Sequence, residues 1–114
     1  MRLSSGAGGS VDKSMPFHYA SLVTFDWDDA KEKANLAKHG VDFCTAHEAF
    51  VDPKRVRVQD ISHSQAEARQ WCVGFDGRGL LTVRYTVRSG VIRVIGAGYW
   101  RKGKKLYEEA NQIH

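Results

Sequence analysis

The sequence predicts an α+β domain built on an antiparallel sheet, in the order β-α-α-β-β-β-β-α. Three observations lead there. Trp27, Ala30, Ala34, Ala37 and Val41 recur at steps of three and four residues, the period of one helical face. Further on, Leu81, Val83, Tyr85 and Val87 alternate with Thr82, Arg84 and Thr86, the period of a strand. Asp76-Gly77 and Ser89-Gly90 stand between such runs, where tight hairpin turns need a positive φ. Helices grouped ahead of hairpin-linked strands give an α+β arrangement rather than an alternating one.

Each element has a local reason. Leu22, Val23, Thr24 and Phe25 make a short β-prone run. Asp26 and Asp28 flank Trp27, and either suits the N-cap of a helix over 28–39. Gly40 supplies its left-handed stop. A shorter helix is expected over 43–50, ended by Pro53. Residues 55–58 alternate charged and apolar, as a half-exposed strand does, and 60–69 read as a polar connection. Strands over 70–75, 79–87 and 91–97 follow, linked by the two hairpin turns. The tail over 101–112 is helix-prone, with Leu106 and Ala110 as spaced apolar contacts. Trp27, Ala34, Phe43, Phe50, Val83 and Ile95 are the expected core.

The chain has 114 residues, the size of one ordinary domain. Residues 1–20 start with a Gly- and Ser-rich stretch without apolar period and read as a disordered tail or a non-native remnant; 21–114 read as the single folded domain. A hydrophobic fraction of 42% with 26% charged residues excludes a wholly disordered, collagen-like or coiled-coil chain. No run approaches the roughly 20 apolar residues of a membrane span, so no membrane association is expected. Cys44 and Cys72 each lie beside an apolar residue and outside any C-x-x-C, which predicts buried free thiols and a cytoplasmic protein.

The net charge is +4, but it is unevenly spread. Residues 21–50 carry a net of −3, whereas 51–114 carry +6. A basic back half folded into one surface attracts a phosphate backbone. The plainer alternative is a solvated strand face.

No phosphate-binding loop, nucleophile elbow or paired metal-ligand spacing is present. His39, Cys44 and His47 lie close in sequence but lack a second ligand pair, so no metal or cofactor is expected. The stretch from Asp60 to Arg69 is more informative. It gathers His63, Glu67 and Arg69 next to strands that carry Arg84 and Arg93. Metal-free RNA cleavage needs such groups: a base for the 2′-hydroxyl, an acid for the leaving 5′-oxygen, and cations for the phosphate. The alternative is a solvated loop with a surface ion pair. In Tyr99-Trp100-Arg101-Lys102-Gly103-Lys104-Lys105, aromatics beside cations suit base stacking and phosphate contact. Its alternative is Trp100 packed on the core beside a basic helix start.

A resemblance covers Phe25 to Glu108. Phe25-Asp26-Trp27-Asp28-Asp29-Ala30-Lys31, Asn35, Lys38-His39-Gly40-Val41-Asp42-Phe43 and Asp52-Pro53 resemble the front of the BrnT family. His63-Ser64 with Glu67 and Arg69, then Tyr85-Thr86, Ile92-Arg93-Val94-Ile95 and Tyr107-Glu108, continue it. The resemblance implies a RelE-like fold and a type II toxin that arrests growth by cleaving RNA. It also implies a BrnA-like antitoxin with a ribbon-helix-helix part, through which a dimer could form. By position it makes His63, Glu67, Arg69 and Arg93 the candidate catalytic residues. Arg84, Tyr99, Trp100, Arg101 and Lys102 are the candidate RNA contacts. One departure stands out. Where the family continues Ser-Ala-Arg, this chain reads Gly96-Ala97-Gly98, so Arg101 or Lys102 must substitute for the missing arginine. Otherwise the chain is a weakened module that binds an antitoxin or nucleic acid without cleaving.

Overall fold

The computed structural model describes residues 24–60 and 67–112. The elements are β1 (Thr24–Trp27), α1 (Asp29–His39), α2 (His47–Val51), β2 (Val56–Gln59), β3 (Gln70–Phe75), β4 (Leu80–Arg88), β5 (Val91–Gly98) and α3 (Arg101–Ala110), in the expected order. They build one mixed sheet of five strands in the order β1-β5-β4-β3-β2. The hairpin strands β3, β4 and β5 are antiparallel, with positive φ at Gly77, Ser89 and Gly90 in the turns. The sheet is not antiparallel throughout: β1 runs parallel to its neighbour β5. Two helices and three strands separate β1 from β5 in sequence, and a connection of that length permits a parallel pairing that a hairpin cannot make.

Pairing register assigns every strand side chain to one of two faces. Cys72, Leu81, Val83, Tyr85, Val94 and Ala97 share one face with Phe43, Ala46, Ala49 and Phe50, and together they form the buried core. Phe50 and Tyr85 meet edge to face at 5.0 Å. Gly74 brings α2 close: a Cβ there would lie 2.2 Å from the Ala49 carbonyl oxygen. The opposite face is covered only in part, by α3. Its Gly103 sits so close that a Cβ would lie 1.7 Å from Thr82 Oγ1. Asp52 ties the layers together by accepting from Phe75 N–H, Lys54 N–H and the Tyr107 hydroxyl, each at 2.8 Å.

Helix α1 departs from expectation. Asp28 caps it and Gly40 ends it at φ 71°, as its sequence indicates. Yet Ala30, Ala34 and Ala37 face outward, so Ala34 is not core; the buried residue is Asn35. The reason is hydrogen bonding. Past Trp27, β5 has no β1 partner, and Asn35 fills the gap: it donates to Ala97 O at 2.9 Å and Val41 O at 3.0 Å and accepts from Ala97 N–H at 3.2 Å. Glu32 likewise accepts from Phe43 N–H at 3.0 Å. Alanine loses little by facing water, whereas unpaired buried backbone groups are costly. Phe43, Phe50 and Val83 are buried as expected, while Trp27 and Ile95 are half-buried. The second helix is shorter than expected because Asp42 accepts from Thr45 N–H and Oγ1–H, which fixes a turn ahead of it.

Candidate functional site

The face left open beside α3 carries Arg84, Arg88 and Arg93. Side chains at 84, 86 and 88 of β4 point to it, because residues 81, 83 and 85 take the core face. Arg93 pairs with Thr86, and Trp71 with Arg84, so both join this face. A bulge matters here. Arg84 pairs with Gly96 but Tyr85 with Val94, which leaves Ile95 as the extra residue on β5. A strict two-residue period would put Arg93 and position 98 on opposite faces. The bulge returns both to the same one.

Two of the arginines are clamped. Arg88 donates from Nε at 2.6 Å and Nη2 at 3.0 Å to the two carboxylate oxygens of Glu67. Arg93 donates to Asp26, its parallel partner on β1. Those bonds from Arg88, together with its charge and those of Arg69 and Arg93, hold the Glu67 carboxyl below the usual range. A base that works near neutral pH needs the opposite shift. In the free protein, Glu67 orients Arg88 through both of its carboxylate oxygens. Arg69 and Arg93 are its other charged neighbours.

The remaining candidates divide. Trp100, Arg84 and Lys102 come together with Trp71. Arg84 Cζ lies 5.6 Å from the Trp100 ring and Lys102 Nζ 5.3 Å from the Trp71 ring. Tyr99 does not join them. Its hydroxyl bonds Asp76 in the β3–β4 turn, which makes it a latch for that hairpin. Arg101 is exposed at the start of α3. His63 lies outside the described residues. Arg88 was not among the sequence candidates because the strand was expected to stop at Val87; extending the Thr82, Arg84, Thr86 alternation by one step would have found it.

His39, Cys44 and His47 do not assemble as metal ligands. His39 packs edge-on against Trp100 at 5.3 Å, and His47 Nδ1 bonds the Cys44 carbonyl at 2.9 Å. Glu32, Asp42 and Cys44 do approach within 4.8 Å of one another. Both carboxylates are already engaged in the turn bonds described above. Cys44 is exposed, against expectation, because it lies on the turn that Asp42 fixes; Cys72 is buried, which pushes its thiol up to about 12. Both cysteines are free.

Residues 27–103 match the family described as "Ribonuclease toxin, BrnT, of type II toxin-antitoxin system". The chain belongs to the BrnT family. No curated protein matches the sequence. Membership makes this BrnT chain a toxin of a type II toxin-antitoxin system, of ribonuclease type, with an antitoxin as its partner. Among the described residues, no helix is long and apolar enough to cross a membrane.

Proposed function

We propose that this BrnT chain is a metal-independent endoribonuclease that inhibits growth in the cytoplasm and uses the open sheet face as its active surface. The observation that carries this reading is the common face of Arg84, Arg88 and Arg93 with Glu67 beside them. In the reaction the RNA 2′-oxygen attacks the adjacent phosphorus while the bond to the 5′-oxygen breaks. The 2′-hydroxyl proton passes to a base and the 5′-oxygen takes one up. Arg69, Arg88 and Arg93 stabilise the charge that builds on the phosphoryl oxygens. A phosphate competes with Glu67 for Arg88. Once displaced, Glu67 loses the hydrogen bonds that keep it acidic and becomes a stronger base. His63 is the alternative acid or base. The partner is a BrnA-like ribbon-helix-helix antitoxin, through which the complex forms a dimer.

Cleavage of purified RNA in chelator, with Arg93→Ala as the comparison, tests this. Removal of one such charge-stabilising donor lowers the rate about 100-fold or more, and the variant keeps its fold and its antitoxin. Gly98 favours a second reading, in which the chain binds antitoxin or nucleic acid without cleaving. Harmless expression of the wild type with intact cellular RNA selects that reading.

A further inference from the structure

Arg84 differs from the other two arginines of the face. Among the described residues no carboxylate pairs with it, and its Nε is buried with no hydrogen-bond partner. It is held by shape. Trp71, Arg84 and Gly96 lie side by side across three strands. Because Gly96 has no side chain, the guanidinium lies over its backbone: a Cβ there would be 3.3 Å from Nη2 and 3.5 Å from Nε.

Gly98 repeats the device. A Cβ at 98 would lie 2.6 Å from Trp100 Cε2 and 2.7 Å from Nε1, so the indole rests flat against β5 where a side chain would stand. Trp100 is half-buried, with Gly98 behind it and Trp71 beside it at 6.5 Å and a 47° tilt. Lys102 caps Trp71. The first turn of α3 contains Arg101 and Lys102 and no acid. Cations at that end oppose the helix dipole, a cost that an incoming anion removes.

We propose that Trp71, Arg84, Trp100 and Lys102 form a subsite for one unpaired nucleotide of an RNA strand. The base stacks on the part of the Trp100 indole left exposed beside His39 and Arg84, and its phosphate is drawn to Arg84 and Lys102. Stacking on an indole needs no base-specific bond, so the subsite tolerates any base. It also answers the missing arginine at 98: Arg84, one strand over on the same face, supplies the cation. This rests on the RNA-binding reading above and deepens it.

The probe is a seven-nucleotide RNA with every 2′-oxygen methylated, which binds but cannot be cleaved. Trp27 lies on the core side of the sheet, so quenching of tryptophan fluorescence reports Trp71 and Trp100. The wild type should show quenching on titration. Trp100→Leu and Arg84→Gln should each weaken binding about tenfold, the scale of one stacked base. Arg84→Lys should recover part of the loss. Lys102→Glu, at an exposed position in the first turn of α3, should also weaken binding about tenfold. Absence of quenching in the wild type, or unchanged affinity of Lys102→Glu and folded Arg84→Gln, overturns the subsite. Cleavage that persists without quenching counts against this subsite alone. Quenching in a protein that never cleaves supports it while removing the ribonuclease reading.

Discussion

The two faces of β4 are made by one stretch of chain and have opposite fates. Leu81, Val83 and Tyr85 are fully buried under α2 and its preceding turn. Thr82 and Thr86 are buried on the other face, but Arg84 and Arg88 beside them reach open surface. On the core face, close approach is enforced by backbone, as at Gly74. On the open face, glycines at 96 and 98 make room for side chains that have no core to join. The same residue type thus brings α2 tightly onto one face and makes a shallow receptive floor on the other. Stability and binding should therefore separate cleanly between the faces.

The sharpest break of this comparison is Gly74→Ala. Its Cβ meets backbone that cannot rotate away, so the variant should lose about 3 kcal/mol or more in urea unfolding. Retained stability would mean that α2 can move and that the core face is not rigid. Asn35→Ala comes next. It leaves Ala97 and Val41 backbone groups unpaired, and a loss of about 2 kcal/mol is expected; Ala34→Ser, one residue away on the outward side, should change stability by less than about 0.5 kcal/mol. Equal effects from the two would show that α1 is turned differently.

Asp52 gives a smaller, pH-dependent effect. Burial raises its carboxyl, but the bonds from Phe75, Lys54 and Tyr107 outweigh this and hold it below the usual value. A lowered folded value means that its stabilisation is complete above about pH 4, the unfolded carboxylate range, and fades as the pH falls. Asp52→Asn should lower the melting temperature at neutral pH and flatten the acid limb of the melting curve. An unchanged acid limb would assign that limb to other carboxylates. A small stability change belongs to Glu67→Gln on the open face. The ion pair with Arg88 is exposed and screened by solvent, so the melt should stay near wild type while RNA cleavage falls. A large loss of stability would make Glu67 a structural residue.

Much of the fold was legible in local chemistry. Asp28 and Gly40 bracket α1 because a cap and a left-handed stop act within a few residues. Asp76-Gly77 and Ser89-Gly90 turn the chain for the same local reason. Alternation along β4 sorted Arg84 from the core before any partner strand was known. The rest depends on groups distant in sequence. Asn35 is buried because β1 ends before β5 does, and it bonds instead to Ala97, 62 residues further along the chain. The bulge at Ile95 is a property of pairing with β4, and without it Arg93 and position 98 would face apart. Tyr99 reads as an RNA contact beside Trp100, but its hydroxyl finds Asp76 in a turn 23 residues earlier. A residue's own period and caps are written beside it in the chain. Its partner across the sheet is set by closure of the whole fold, where unpaired backbone groups and register choose the face.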